Sequence, residues 1–384
     1  MKLKKMFALT MVLLLCFCGT AFAGDASVIK IGVIAPLTGN VAVYGIATKN
    51  GSELFTKLAN ESGGINGHKV ELIIYDDKGD PTESLNAYNK LVTADEVAAI
   101  IGPVTSSPTF GVAEASAADN VPCITGTATH PDVTTYGKNF FRACFEDPFQ
   151  GGAMARFAFE RLNAKTAAVI YNVSDAYSTG LYNAFRNTAE TAGLKVVGAE
   201  SYANDDVDFN AQLTNIAKTS PDVLFIPDYY NKAYLICSQA RKAGIKSTFL
   251  GVDGTDGVLV IEGADYSVFN GMYFPNHYFP DDPSPLVQNL RKNYETAYGG
   301  APNSFAALGY DAAAILFDAI RRALDAGINV GATAESYQAI IDNMATTDLE
   351  CVTGRITFAN NNPVKDVSVI KIVDGAYKFE TKYR

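Results

Sequence analysis

The runs Ile100-Ile101-Gly102-Pro103-Val104-Thr105-Ser106-Ser107 and Val121-Pro122-Cys123-Ile124-Thr125-Gly126-Thr127-Ala128-Thr129 decide the fold. Each is a short apolar strand that breaks into Gly, Ser and Thr, as a strand of a parallel sheet does where it ends at a polar site before its next helix. The two loops are expected to lie side by side. Their hydroxyls, with free backbone N–H groups at a helix start, suit a small carboxylate. Plainer accounts exist: Ser106 and Ser107 as helix caps, and Thr129 before His130-Pro131 as a turn residue.

Outward from these loops the same grammar repeats. Upstream, Val28-Ile29-Lys30-Ile31-Gly32-Val33-Ile34 reads as a buried strand, followed by a helix with Ile46, Leu54, Phe55 and Leu58 on one face. Gly63-Gly64-Ile65-Asn66-Gly67 turns into a strand over 70–75, and Pro81 opens a helix carrying Leu85, Tyr88, Leu91 and Val92. This β-α-β-α-β order predicts a parallel sheet with helices on both faces. Downstream, a strand over 139–144 leads to a second set: strand Ala167-Ala168-Val169-Ile170-Tyr171, a helix over 177–192, strand Val223-Leu224-Phe225-Ile226, a helix over 232–243 and strand Thr248-Phe249-Leu250. Two lobes on one plan are therefore expected. From Met272 the chain turns rich in Pro and aromatics and reads as a crossing between lobes, after which helices over 286–294, 305–324 and 335–344 return to the first lobe. The tail holds Ile356-Thr357-Phe358 and two strands joined at Asp374-Gly375, a hairpin signal.

Composition narrows the compartment. Lys2, Lys4 and Lys5, an apolar core of about a dozen residues and Ala21-Phe22-Ala23 make an export signal, 1–23, cleaved after Ala23. The apolar run is too short to span roughly 30 Å of hydrocarbon. Cys16 and Cys18 lack the small preceding residue of a lipid-bearing cysteine. No later run reaches 18 apolar residues, so a soluble protein is expected. Losing three of the 31 basic residues leaves 28 against 41 acids, a net charge of −13, which disfavours nucleic acid as a partner. The remaining length, about 360 residues, suits two domains. Cys123, Cys144, Cys237 and Cys351 have wide, irregular spacing that matches no metal pattern and fixes no pairing.

Marks of common enzymes are missing. The three histidines, His68, His130 and His277, have no second His or Cys at ligand spacing and read as exposed or hydrogen-bonded loop residues. There is no nucleophile elbow, phosphate loop or dinucleotide fingerprint, and the glycines of 251–257 are wrongly spaced for one. No catalysis, cofactor or metal is expected. What remains is a set of polar and aromatic residues at strand ends: Tyr44, Ser106, Ser107, Thr127 and Thr129 in the first lobe, and Tyr177, Asp228, Tyr229, Tyr230 and Asp253 in the second. One half offers hydroxyls and N–H groups, the other acids and rings. A zwitterion with an apolar tail would use both.

Ile31-Gly32-Val33-Ile34-Ala35-Pro36-Leu37-Thr38-Gly39, Tyr44-Gly45, Gly63-Gly64-Ile65-Asn66-Gly67, Asp76-Asp77 and Ile101-Gly102-Pro103, together with the export signal, resemble the Leu/Ile/Val-binding periplasmic proteins of ABC importers. The resemblance runs over nearly all of the mature chain. It implies an α/β type I periplasmic-binding fold, two Rossmann-like αβα lobes joined by three crossings near Cys144, Pro275 and Cys351. That divides the chain into 24–144 plus 276–351 and 145–275 plus 352–384. It implies a periplasmic, monomeric protein that delivers a free amino acid, of the aliphatic branched-chain kind, to a membrane permease. It puts the ligand carboxylate on Ser106 and the Thr127–Thr129 loop, the ammonium on Thr129 and Asp253, and Tyr44, Tyr177 and Tyr229 around the cleft. Two features depart from the leucine binders. Asp253 stands where glutamate is common, one methylene shorter, and Gly126-Thr127 replaces more apolar small residues. With Asp228 as a second acid nearby, the amino acid stays open, and the alternatives are another small carboxylate or amide (an aromatic acid or a urea-like amide) or, less favoured, a sensory receptor.

Overall fold

A computed structural model describes residues 28–383. The expected leader, its cleavage after Ala23, and Cys16 and Cys18 lie outside the described residues. The first sheet begins with β1 (Ile29–Ala35), α1 (Ala42–Glu61), β2 (Val70–Asp76), α2 (Pro81–Thr93), β3 (Ala99–Ile101), α3 (Ser106–Asp119), β4 (Cys123–Thr125) and β5 (Phe140–Arg142). Its five strands are all parallel, in the order β2-β1-β3-β4-β5. α2 starts where Asp80 accepts hydrogen bonds from the Thr82 and Glu83 N–H groups, with Pro81 at the first helical position.

The second sheet follows with α4 (Asp147–Glu160), β6 (Thr166–Asn172), α5 (Ala176–Ala192), β7 (Lys195–Tyr202), α6 (Asn210–Thr219), β8 (Val223–Phe225), α7 (Tyr230–Lys242), β9 (Thr248–Leu250) and β10 (Tyr273–Asn276). The chain then returns to the first lobe through α8 (Pro285–Tyr298), α9 (Ser304–Asp325), α10 (Ala334–Ala345), β11 (Asp348–Cys351), β12 (Gly354–Ala359) and β13 (Asn362–Pro363). It closes with the hairpin β14 (Val367–Val373) and β15 (Ala376–Tyr383). The second sheet runs β15-β14-β10-β9-β8-β6-β7, parallel from β10 to β7, with β14 and β15 antiparallel at one edge. Asp374 and Gly375 both have positive φ, 51° and 72°, as the two-residue hairpin requires.

The central strands of each sheet are buried on both faces, which is why they read as apolar runs, while the edge strands β7 and β15 are polar and partly exposed. Ile31, Val33 and Ile101 pack beneath α1 and α9, while Ile34, Ile100 and Cys123 pack beneath α2 and α3. In the second lobe Val169 and Phe225 face α4 and α5, and Ile170 and Leu224 face α6 and α7. α1 and α9 pack with their backbones nearly touching: a Cβ on Gly51 would lie 1.9 Å from the Ala306 carbonyl oxygen, and one on Gly309 would lie 2.2 Å from that of Thr48. This approach presses the start of α9 against the first sheet's loops.

Three expectations change. Ile46 is 43 % exposed, so the buried face of α1 is instead built on Tyr44, Ala47 and Leu54, at the spacing of one helical stripe. The Pro- and aromatic-rich stretch begins as a strand, since Tyr273–Asn276 pairs with β9 and β14, and the crossing starts only at His277. Residues 352–363, expected in the second lobe, pack on the first. Ile356 joins its core, Phe358 meets Phe141 with ring centroids 5.1 Å apart, and Asn362 Oδ1 accepts a bond from the Arg142 Nε at 2.5 Å. The last crossing therefore falls at 364–366.

Among the described residues no helix is long and apolar enough to cross a membrane, and no group of three or more His, Cys, Asp or Glu is placed to hold a metal ion. Cys123, Cys144, Cys237 and Cys351 are all buried free thiols.

Candidate functional site

In both sheets the strand order reverses once, between β1 and β3 in the first and between β6 and β8 in the second. Adjacent loops there run to opposite faces and leave a crevice, the place where open α/β sheets hold ligands. Tyr44, Ser106 and Tyr177 lie in the first turns of α1, α3 and α5, and Tyr229 is the residue before α7. Thr127 and Thr129 follow β4, and Asp253 opens a short turn after β9. The two crevices face each other across a narrow cavity. Ser106, Thr127, Thr129, Tyr177, Tyr229 and Asp253 line it, with Val104, Thr105, Gly254 and Phe305. Larger spaces lie behind the crossings and beside α1 and α9, but neither gathers hydroxyls from one lobe and an acid and rings from the other.

The hydroxyl side is laced together. Gly102 has φ +110°, and a Cβ there would sit 2.2 Å from the Ile34 carbonyl oxygen, so the bend into the loop needs glycine. The Thr125 hydroxyl donates to the Pro103 carbonyl at 2.7 Å and accepts the Thr127 and Ala128 N–H groups at 3.2 and 3.0 Å. The Thr127 hydroxyl donates to the Val104 carbonyl at 2.6 Å. Ser106 does not cap α3, whose cap position is Thr105; its oxygen accepts the His130 N–H at 3.2 Å and ties the two loops together. Arg142, fully buried on β5, holds the loop from behind by donating to the Ala128 and Pro131 carbonyls at 3.1 and 3.0 Å. The Thr129 hydroxyl is buried on the cavity wall without a well-formed hydrogen bond; its neighbour there is the Asp147 carboxyl, whose charged form it favours.

The opposite wall is acid and ring. Asp253 is 3 % exposed; its Oδ1 accepts from the Tyr177 hydroxyl at 2.5 Å and from Gln150 Nε2 at 3.0 Å, while Oδ2 lies 3.4 Å from His277 Nε2. Burial, as the larger effect, holds the His277 imidazole down at about 4, so it faces Asp253 uncharged at neutral pH, with its ring stacked 3.6 Å from Phe145. Tyr177 and Tyr229 stack parallel, 4.8 Å apart, and burial keeps both phenols far above their ordinary range, as neutral donors. Tyr44 does not line the cavity. It stacks behind Phe305 at 4.0 Å, its hydroxyl donates to the Gly254 carbonyl, and it accepts the Tyr230 N–H at 2.9 Å. Ser107 also points elsewhere, donating across the lobes to Asp175 Oδ1 at 2.9 Å.

A family model described as periplasmic binding protein matches residues 28–376 of the chain. The chain belongs to this family. The binding protein is 36 % identical, over 66 % of its own length and 68 % of the relative's, to the Leu/Ile/Val-binding protein BraC3 of Rhizobium johnstonii. It superposes with a TM-score of 0.85 on a leucine-binding protein, LivK, of Thermotoga maritima, 33 % identical, covering 92 % of this chain and 98 % of that one. A TM-score of 0.84 relates it to the branched-chain amino acid substrate-binding protein LivJ of Streptococcus pneumoniae in complex with isoleucine, at 30 % identity over 92 % and 98 % of the two chains. Two αβα lobes with parallel-sheet cores are thus the type I fold of these proteins.

Sequence reasoning missed several residues around this site. Phe305 reads as the first apolar residue of a helix stripe; its signal is Asn303, whose side chain caps α9 by accepting the Ala306 N–H and so fixes where the ring projects. Gln150, Asp147 and the buried His277 carry no local signal, because only the fold brings them under Asp253. Asp228 is not on the cavity wall. It is held by the Tyr202 hydroxyl and by the Tyr229 N–H at 2.6 Å, and burial pushes its carboxyl up to about 7.

Proposed function

We propose that this periplasmic binding protein binds a free L-amino acid with an aliphatic, branched side chain between its lobes and delivers it to the membrane permease of an ABC importer. The observation that carries this reading is the opposition across one small cavity: Asp253 from one lobe, and Ser106, Thr127 and Thr129 from the other. The Ser106 hydroxyl and the Thr129 backbone N–H would hold the ligand carboxylate, in the field of the buried Arg142 guanidinium. Asp253 Oδ2 and the Thr129 hydroxyl would hold its ammonium, with Tyr177, Tyr229, Phe305 and, behind them, Tyr44 enclosing the side chain. Charge-assisted bonds of this kind contribute about 1.5–3 kcal/mol each. The names of the similar proteins, which bind leucine, isoleucine and valine, support the choice of ligand class.

The mechanism is closure. Residues 28–144 plus 277–363 would move against 145–276 plus 367–383 on three crossings, and only the closed form makes both sets of bonds, so the ligand stabilises it. The protein would act as a monomer in the periplasm and release its ligand chemically unchanged. Purification without denaturation, followed by identification of the small molecule carried along, tests the ligand class directly. An Asp253→Ala protein is expected to lose leucine binding in calorimetry. Unchanged affinity would overturn the amine assignment and favour a small acid that lacks one. A ligand supplied at about 100 times its Kd is expected to stabilise the fold by roughly 2.7 kcal/mol in a thermal-shift panel.

A further inference from the structure

Gln150 does not itself line the cavity, yet it is fully buried and its amide is engaged on both sides. Nε2 donates to Asp253 Oδ1 at 3.0 Å and to Asp147 Oδ1 at 3.0 Å, and Oε1 accepts the Asp253 N–H at 3.1 Å. Only one orientation of the amide fits, because the Asp253 backbone N–H only donates and so requires the amide oxygen on its side. Asp147 continues the chain of bonds: its N–H donates to the Thr129 carbonyl at 3.0 Å. A connected path therefore runs Thr129, Asp147, Gln150, Asp253, from the hydroxyl loop of one lobe through the first crossing to the acid of the other. Asp147 Oδ2 and the Thr129 hydroxyl are both buried without a well-formed hydrogen bond, and the Thr129 side chain favours the charged form of the Asp147 carboxyl.

We propose that Gln150 is a positioning residue for the amine end of the ligand, fixing the Asp253 carboxylate and registering it, through Asp147, against Thr129. This rests on the amino-acid reading given above. The physical reason is rotational: an aspartate turns easily about its last side-chain bond. With the amide removed, only the Tyr177 hydroxyl on Oδ1 and the longer 3.4 Å contact of Oδ2 with His277 are left to fix the carboxylate. Gln150 holds it with Oδ2 available at the cleft, and supplies each of two neighbouring carboxylates with its own N–H.

The test is a double-mutant cycle read by calorimetry with L-leucine. Gln150→Met is expected to weaken binding by about 10- to 100-fold in the wild-type background, the loss of a bond to a charged group. In the Asp253→Asn background the same change is expected to cost less than about twofold. Equal penalties in both backgrounds would mean that Gln150 only supports the fold, and the proposal fails. Gln150→Glu provides an arm that keeps the side chain's shape. It retains the acceptor for the Asp253 N–H but faces two carboxylates with a third, and is expected to regain affinity relative to wild type as pH falls from 8 to 5, when the new acid takes up a proton and donates again. Burial pushes the contacting Asp147 carboxyl up to about 8, so its own proton uptake over this range is separated by repeating the comparison in Asp147→Asn protein, where the recovery is expected to persist; His277 and Tyr177 stay uncharged throughout. No such recovery would also overturn the role. Wild-type protein that binds none of leucine, isoleucine or valine would sink the amino-acid reading itself, and the role of Gln150 with it; binding with additive penalties sinks the role of Gln150 alone.

Discussion

At Asp228, burial and hydrogen bonding act in opposite directions and burial wins. The carboxyl is pushed up to about 7 although the Tyr202 hydroxyl and the Tyr229 N–H both favour its charged form. An aspartate in the unfolded chain titrates near 3.9. The folded form therefore holds its proton more tightly, so this group's stabilisation is full below pH about 4 and is lost as pH rises through 7. Asp228→Asn keeps the Tyr229 bond, and the Tyr202 hydroxyl can turn to accept. Urea unfolding at pH 5 and pH 8 is expected to show wild type losing on the order of 2 kcal/mol more than the variant. Asp228 was visible in the sequence as an acid at a strand end, but not its distance from the cavity. A strand end says which edge of the sheet a residue occupies. Whether it faces the cleft or the core depends on what packs there, and here Tyr202 claims it. Ser107 illustrates the same limit: its position one residue after Ser106 put it at the right helix start, and the helical turn aimed it at Asp175.

Elements were legible where a local pattern is strong enough to act alone. The buried strands, the Pro81 helix start and the Asp374-Gly375 hairpin all stood out, because apolar runs, a proline at a first helical position and a pair of positive-φ residues each have one good structural solution. β12 and β13 were harder. Ile356-Thr357-Phe358 alternates as an edge strand of either lobe would, and its side is chosen by distant partners, Phe141 and Arg142. The close approach of α1 and α9 was equally hidden, since glycine in a helix reads as a weak point until the facing backbone is seen. Gly309→Ala, which puts a Cβ 2.2 Å from the Thr48 carbonyl oxygen, is expected to lower unfolding free energy by about 1–3 kcal/mol in denaturant titration. At an exposed helical site the same change would instead stabilise by about 1 kcal/mol.

For the whole molecule, several bonds join the lobes outside the cavity. Ser107 reaches Asp175, the Ser304 N–H and hydroxyl reach Asp256 Oδ2 at 2.9 and 2.7 Å, and Tyr44 reaches Gly254 and Tyr230. These contacts favour closure whatever the ligand, so they tune affinity without selecting among ligands. Ser107→Ala is expected to weaken all ligands by a similar factor, about three- to tenfold, leaving their ranking unchanged. X-ray scattering is expected to show compaction of wild type on adding its ligand, and a more open average for the variant without ligand. A ranking altered by Ser107→Ala would instead place that hydroxyl in contact with the ligand.

The buried thiols give this molecule an internal clock. Cys144 lies where the chain first passes between lobes and Cys351, at the end of β11, lines the space behind the crossings beside His277 and Lys365, whereas Cys123 and Cys237 lie deep in the two cores. Burial pushes Cys123 and Cys144 up to about 12 and raises the other two further, so none reacts as a thiolate while covered. A disulfide reagent would then modify Cys144 and Cys351 at the rate at which the joints breathe, and Cys123 and Cys237 only as fast as a lobe melts. Saturating ligand should slow the first pair far more than the second, which would time the gate in an unmodified chain.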